Sequence, residues 1–178
     1  MAARVSMGEL IALVRRLVYD PVSTEQNWTD SELQTWLDAH CVTAIEQPLS
    51  YTWQTVAGQS VVLEYAAELG YWEADAKLTD ASGNTLTATS ANLMAGRWSF
   101  VAHQQPPVYL TGRSYDVYAA AADALEARAA QVALAFDFTA DGATYHRSQQ
   151  GEALLRLARQ YRGQARSSVA RMVRSDTN

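Results

Sequence analysis

The sequence contains a single cysteine, Cys41, so no disulfide bond can form within the chain. This excludes the disulfide-rich scaffolds of small secreted proteins and favours a reducing compartment. The first apolar run, within residues 1–20, is interrupted by Glu9 and by Arg15 and Arg16, and it does not resemble a secretory leader. No segment approaches the roughly 20 apolar residues that a membrane-spanning helix needs. With 48% hydrophobic residues, the chain is expected to be a folded, soluble protein of the cytoplasm without membrane contact.

Motifs for metal and cofactor binding are also missing. The sequence has no pair of cysteines at zinc-site spacing, no H-x-x-x-H and no calcium-loop pattern. The glycines do not form a phosphate-binding pattern, and the lysine of a Walker loop is absent. We therefore predict no metal and no cofactor.

Candidates for nucleophilic catalysis are few and poorly placed. They would be Cys41 or Ser148, acting with His40, His103 or His146. Cys41 falls on a predicted buried stripe, which is typical of a structural cysteine. Ser148 lacks the G-x-S-x-G pattern of a nucleophile elbow. We predict that the protein is not an enzyme, and a small hydrolase using His146 and Ser148 ranks last among the hypotheses.

Charge is distributed unevenly along the chain, which has a net charge of −5. Lys77 is the only lysine, and the last 34 residues hold seven arginines against Glu152 and Asp176. These arginines are Arg147, Arg156, Arg159, Arg162, Arg166, Arg171 and Arg174. The asymmetry indicates that the two ends of the chain meet different partners.

Two helices are predicted at the start of the chain. Apolar residues recur at helical spacing over about residues 6–19. A second helix is expected to begin at Thr29, which can form a capping box with Glu32. Its apolar stripe extends through Cys41, Ala44 and Ile45 and ends near Pro48. We expect these two helices to form an antiparallel hairpin.

The remainder of the chain is predicted to be a β segment followed by two more helices. Short runs rich in Val, Thr and aromatic residues occupy residues 50–112, and 81–84 have the composition of a hairpin turn. A third helix is expected from an N-cap at Ser114, with Asp116 near its positive end, and its alanine-rich stripe predicts close packing against another helix. The fourth helix is expected to run from about residue 145 or 148 to about 174.

The predicted fold is therefore α+β, with a core of four helices arranged as two helical hairpins. A small antiparallel β insertion would separate helices 2 and 3. Residues 1–49 would form the first hairpin of the core, 50–112 the insertion, and 113–178 the second hairpin with its arginine-rich last helix and tail.

Three segments of the chain resemble a known family. These are "LIALVRRLVYDP", "NWTDSELQTWLDAH" and "GRSYDVYAAAADALEARAAQVALAFDFTADGATYHRSQQGEALLRLARQYR". They are similar to the head-tail connector proteins of tailed bacteriophages and prophages, also called neck or head-completion adaptors. The similarity is most specific from Ser114 through Gln149.

The resemblance implies a structural protein that forms a ring, commonly of twelve copies, under the portal at one capsid vertex. Its partners would be the portal protein, further copies of itself and a downstream neck or tail-completion protein. DNA would pass through the lumen without specific binding, and an acidic body suits such a channel because like charges do not adhere. The protein would be located in the virion neck, and in the host cytoplasm during assembly.

The last helix and tail are predicted to bind the portal. Arginine pairs bidentately with carboxylates, and apolar residues between the arginines could fill grooves of the partner. The predicted portal-binding residues are Arg162, Arg166, Val169, Arg171, Met172, Val173 and Arg174. The alternative is a nucleic-acid-binding regulatory protein that uses the arginine-rich C-terminal helix, for which duplex affinity should fall steeply with salt.

Overall fold

The structure, a computed structural model, describes residues 2–133, 138–140, 143–145 and 147–166. A short 3₁₀ turn at Val5–Met7 leads into α1 (Gly8–Val18). The remaining helices are α2 (Asp30–Ala39), α3 (Val117–Ala133) and α4 (Arg147–Arg162).

Between α2 and α3 the chain forms a series of antiparallel strands. They are β1 (Cys41–Pro48), β2 (Ser50–Tyr51), β3 (Gln54–Val56), β4 (Gln59–Val61), β5 (Glu64–Ala66), β6 (Lys77–Thr79), β7 (Thr85–Leu86), β8 (Ser90–Asn92), β9 (Arg97–Ser99) and β10 (Tyr109–Tyr115). One four-stranded sheet has the order β1-β10-β6-β7 and another has β2-β5-β9-β8. Strands β3 and β4 form a separate hairpin, as do β11 (Phe138–Ala140) and β12 (Ala143–Tyr145), which connect α3 to α4.

The expected core of four helices with a small β insertion is wrong. Strands begin at Cys41, directly after α2, and continue to Tyr115 at the start of α3. The β structure therefore has its own core and includes Cys41, Ala44 and Ile45, which had been assigned to a helical stripe. The molecule is an α+β protein rich in β structure.

The physical reason for this difference lies in β1. The strand contains the β-branched residues Val42, Thr43 and Ile45, which favour extended structure, and it pairs with β10 along its length. A β-bulge between Ala44 and Gln47, with Glu46 at a φ of 49°, interrupts the alternation of the strand. Less exposed residues recur at 41, 44 and 47, a spacing that resembles a helix. Cys41 and Ala44 lie on opposite faces of the strand, where Cys41 packs with the helices and Ala44 with the other strands, and the bulge shifts the alternation only after Ala44.

Two hydrophobic cores lie on either side of β10. The helical core contains buried residues of α1, α2, α3 and α4 together with Tyr115. Helix α3 supplies more of them than any other helix, and most of its buried residues are alanines. The close packing predicted for that alanine stripe is confirmed, since α3 contacts α1, α2 and α4. The β core is built around Tyr65, Trp72, Trp98, Phe100 and Leu110.

The ends of α2 and α3 are set by local side-chain chemistry. The capping box is confirmed: Thr29 accepts from the Glu32 amide, and the Glu32 carboxylate accepts from the Thr29 amide at 2.7 Å. The predicted N-cap of α3 is wrong. Ser114 lies in β10, whereas Asp116 caps the helix by accepting from the amides of Tyr118 and Ala119 at 3.1 and 3.0 Å.

Candidate interaction site at the end of helix α4

Of the predicted portal-binding residues, the structure describes Arg162 and Arg166. Arg162 is the last residue of α4, and Arg166 follows the turn after it. The other five, which are Val169, Arg171, Met172, Val173 and Arg174, lie outside the described residues. The helix therefore ends at residue 162, within the stretch where one continuous helix to about 174 had been expected.

Arg162 joins α4 to α3 through two carboxylates. Its guanidinium donates to Asp123 and also to both oxygens of Glu126, at 3.3 and 3.0 Å. Asp123 in turn contacts Nε2 of His40, at the end of α2, at 2.6 Å. The hydrogen bonds that Arg162 donates to Glu126 and Asp123 outweigh partial burial and raise the pKa of Arg162 above its ordinary value. The side chain is still 40% exposed.

Arg166 is held more deeply, at the point where the chain returns to the β structure. Its Nη2 donates to the carbonyls of Gly70 and Tyr115 and to the Ser114 hydroxyl, at 2.7 to 2.9 Å. Its backbone amide donates to Asp116, the N-cap of α3, at 2.5 Å. Burial lowers the pKa of this guanidinium from its ordinary value, although the charge of Asp116 opposes the shift.

The end of the described chain is thus anchored at both arginines, and we call Arg162, Arg166 and their acceptors the C-terminal anchor. Nη1 of Arg166 is buried and has no hydrogen-bond partner among the described atoms. The anchor positions the chain after α4, because its two guanidinium groups are paired with carboxylates, carbonyls and the Ser114 hydroxyl of preceding elements. The sequence identified Arg162 and Arg166 as candidate binding residues but did not reveal their acceptors, because those acceptors belong to segments that are distant along the chain.

A second charged cluster, which sequence reasoning missed, lies at the junction of the two cores. The Glu73 carboxylate is completely buried. It accepts from Arg4 and Ser6 on one oxygen, at 3.0 and 2.5 Å, and from Tyr115 and Arg113 on the other, at 2.5 and 2.9 Å. Burial alone would raise the pKa of Glu73, but the hydrogen bonds from Ser6, Tyr115 and Arg4 outweigh it and the pKa lies below its ordinary value.

Arg4 extends this Glu73 cluster to the helices. It forms a bidentate pair with Asp38 of α2, at 3.0 and 2.6 Å, and its backbone amide donates to Gln34. The cluster therefore ties the N-terminal segment, α2 and β10 together. The only sequence signal was Glu73 directly after the uncharged residues 69–72, which does not identify its partners.

The candidate catalytic residues are not brought together by the described structure. Cys41 is a free, half-buried thiol at the start of β1, while His103 is exposed beyond β9 and accepts a hydrogen bond from the Val62 amide at 2.9 Å. His40 is engaged with Asp123. Ser148 lies in the first turn of α4, and His146 lies outside the described residues.

The described part of the chain also contains no group of three or more His, Cys, Asp or Glu side chains able to hold a metal ion. Within that same part, none of the helices has the length and apolar character required to cross a bilayer.

Comparisons with protein-family models, with curated proteins and with solved structures find nothing that matches this chain.

Proposed function

We propose that this chain is a structural adaptor of a bacteriophage neck. Copies would form a ring, expected to be dodecameric, under the portal protein, extend the DNA channel and support a downstream neck or tail-completion protein. The virion neck would be its location, with the host cytoplasm as the site of assembly. The proposal rests on the resemblance of the three sequence segments, and it needs neither a cofactor nor a membrane.

Among the structural observations, the C-terminal anchor gives the adaptor proposal its strongest support. The segment with the most specific resemblance, residues 114–149, runs from the end of β10 through α3 to the first turn of α4, and Arg166 fixes the chain after α4 against the start of α3. Residues 167–178 therefore start from a defined point on the folded body. A docking segment benefits from such a rigid origin, because less freedom is lost when it binds.

The anchor also divides the predicted portal-binding arginines into two groups with different roles. Arg162 and Arg166 have acceptors within their own chain, so we assign them to holding the base of the tail. The contact with the portal then falls to the tail itself. Arg171 and Arg174 would pair with carboxylates of the portal, and Val169, Met172 and Val173 would fill apolar grooves.

The assembly experiment mixes the purified full chain with the portal protein encoded in the same genome. Electron microscopy and native mass spectrometry should detect a closed ring of this chain on the portal. A chain that stays monomeric and never joins the portal ring would disprove the adaptor function.

The role of the tail is tested with a chain that ends at Arg166 and with the double variant Arg171→Glu, Arg174→Glu. Both keep the anchor, so both should fold like the full chain yet fail to join the portal, and the double variant should be impaired more at low salt than at high salt. The matched control is Arg156→Glu, Arg159→Glu, which makes the same charge change at exposed positions of α4. Normal docking of the shortened chain would show that the tail is not the portal-binding element.

The double variant Arg156→Glu, Arg159→Glu also distinguishes the adaptor from the alternative function, a nucleic-acid-binding regulatory protein. A nucleic-acid-binding protein that uses α4 should bind duplex DNA at low salt and should lose this binding when Arg156 and Arg159 are replaced. The adaptor should show no such salt-dependent binding.

A further inference from the structure

The hairpin of β3 and β4 stands apart from the other sheets, and we call its residues, 54–61, the arm. Residues 55–60 are all exposed, so both faces of the arm are open. Natural proteins usually protect free strand edges with charged residues or proline. The arm has neither, and the chain carries no charged residue anywhere from 47 to 63. Since a two-stranded sheet is only marginally stable by itself, these features are typical of a segment that a partner covers.

The tip of the arm is apolar where a hairpin turn is usually polar. Ala57 and Gly58 have φ angles of 50° and 79°, the pattern of a two-residue type I′ turn. Asn, Asp or Gly is usual at the first of these positions, and alanine is strained there because the left-handed region favours glycine. Val56, directly before the turn, is 49% exposed. The tip therefore presents two adjacent apolar side chains to the surroundings.

A groove with a mainly apolar lining lies along the outer side of α1, and we call it the α1 groove. Its larger part has a volume of about 580 Å³ and is lined by Ala12, Tyr19, Pro21 and Val22 and by Arg15 and Asp20. A second hollow shares Ala12 and Val22 with it and extends to Val5. Tyr19 and Val22 are 88% and 76% exposed. The groove thus combines an open hollow with apolar side chains that protrude at its margin.

Tyr19 is held at this margin in a conformation that costs stability. It is the C-cap residue of α1 and has a φ of 54°, in the left-handed region where glycine is favoured. Because its ring is largely exposed, packing within the chain compensates little of this cost. A strained backbone at an exposed side chain is characteristic of residues that contact a ligand or a partner.

Charge favours a second copy of the chain as the partner of both surfaces. The chain has a net charge of −5, so two copies approach most readily where neither surface carries an uncompensated acid. The arm is uncharged, and the acids of the α1 groove, Asp20 and Asp30, are both paired with Arg15, at 3.2 and 2.7 Å. Arg16, which is exposed in the groove, can donate to backbone carbonyls of an incoming arm.

We propose that the arm of one copy docks into the α1 groove of the next copy. Val56 and Ala57 at the tip then pack against Tyr19 and Val22 at the groove. The arm does not fill the groove of its own chain, since Val56 and Tyr19 are both exposed. A contact between two different surfaces of one chain repeats from copy to copy and produces a ring when the rotation closes. The contact joins neighbours in the ring proposed above, and it rests on that proposed function.

The test uses two full-length variants, Val56→Lys in the arm and Val22→Lys in the groove. Both positions are exposed, so both variants should keep the circular dichroism spectrum of the unmodified chain. Sedimentation is measured at up to about 1 mM chain, where even a contact with a millimolar Kd is populated. We expect oligomers of the unmodified chain and monomers of each variant, because an ammonium group loses its hydration on entering an apolar contact.

Mixing the two variants tests the head-to-tail arrangement. The Val22→Lys chain has an intact arm and the Val56→Lys chain has an intact groove, so one productive contact remains between them. With one variant ¹⁵N-labelled, native mass spectrometry of the equimolar mixture should detect a heterodimer and no larger species, because its two free surfaces are both blocked. The matched control is Ile45→Lys, which changes a residue that is 77% exposed on β1 and should assemble like the unmodified chain.

Several results would overturn the proposed contact. They include an unmodified chain that stays monomeric at every concentration, a mixture without the heterodimer, and an equal loss of assembly in Ile45→Lys. Normal oligomers of Val22→Lys alone would show that the arm binds elsewhere, for example to another arm, and normal oligomers of Val56→Lys alone would show that another segment fills the groove. None of these measurements uses the portal, so ring formation on the portal tests the adaptor function separately.

Discussion

Glu73 is the residue on which the connection between the two cores depends most directly. Its buried carboxylate accepts from Arg4, Ser6, Arg113 and Tyr115, which belong to the N-terminal segment and to β10. A buried carboxylate is costly unless hydrogen bonds and opposite charges compensate it, and here all of these partners donate. The arrangement is therefore stabilising only while every partner remains in place.

Replacing Glu73 with Gln should destabilise the protein by about 3 kcal/mol, because it leaves Arg4 and Arg113 without their shared carboxylate. This loss of stability is at the lower end of the range for breaking a buried ion pair. The Arg4 and Arg113 side chains are 32% and 34% exposed, so water can hydrate their charges in part. Urea unfolding measures the effect. Glu68→Gln is the matched control at an exposed position and should change stability little. Equal stability of the two variants would contradict this role for Glu73.

The same carboxylate should make stability depend on pH in the acidic range. The folded-state pKa of Glu73 lies below its ordinary value of 4.5, because hydrogen bonds to the ionised form outweigh the effect of burial. The stabilisation is therefore fully present above that value and is lost as the pH falls through the folded-state pKa. The free energy of unfolding, measured by urea titration at a series of pH values, should fall on acidification and fall less steeply in Glu73→Gln. Parallel curves for the two proteins would disprove the assignment.

At the scale of secondary-structure elements, α2 and β1 show how adjacent segments with similar patterns take different structures. The start of α2 is determined locally, by the reciprocal bonds of Thr29 and Glu32. The end of α2 is determined by the β structure, because the His40 carbonyl accepts from the Asp116 amide at the point where β1 and β10 begin to pair. The apolar spacing of the sequence would allow α2 to continue past His40, but the pairing of β1 with β10 from Cys41 onward ends the helix.

Replacing Thr29 with Ala should cost about 1 kcal/mol, the usual effect of losing an N-cap side chain. The loss should appear in thermal or urea unfolding followed by circular dichroism. Thr35→Ala is a matched control within the same helix: its hydroxyl bonds to the Ser31 carbonyl at an exposed position, so alanine there should be neutral or slightly stabilising. If Thr29→Ala proves as harmless as the control, the capping box does not stabilise the helix.

For the molecule as a whole, the two cores are joined by more than the chain connection. The Glu73 cluster, the anchor at Arg166 and the bridge between Trp72 and Ser114 all cross the boundary between them. Strand β10 belongs to both, since Leu110 is buried in the β core and Tyr115 in the helical core. The helical and β parts should therefore behave as one cooperative unit.

Cooperativity predicts that the two parts unfold together. Far-ultraviolet circular dichroism, which follows the helices, and near-ultraviolet circular dichroism, which includes Trp72 and Trp98 of the β core, should give the same urea midpoint. The Glu73→Gln variant weakens the connection between the two cores. If the two urea midpoints separate in any protein of this series, they should do so first in that variant. Two well-separated transitions in the unmodified chain would show that the cores are independent domains.

The sequence alone determined those features that depend on residues close together along the chain. The capping box of α2, the apolar stripe of α4 and the close packing of the alanine-rich α3 follow from spacing and side-chain size. The turn after β6, where Asp80 accepts from the amides of Ser82 and Asn84, is likewise predictable from the sequence. All of these features depend only on local geometry.

The tertiary structure decided what depends on distant segments. The sequence could not show that residues 41–48 pair with 109–115, or that Cys41 and Ala44 would pack into different cores from opposite faces of β1. It suggested Arg162 and Arg166 as exposed binding residues, but their acceptors Asp123, Asp116 and Ser114 lie 39 to 52 residues away along the chain. The Glu73 cluster likewise exists only once separate strands and helices meet. Periodicity records which face of an element is apolar, whereas the partner of a buried charge is determined by which elements the fold places beside it.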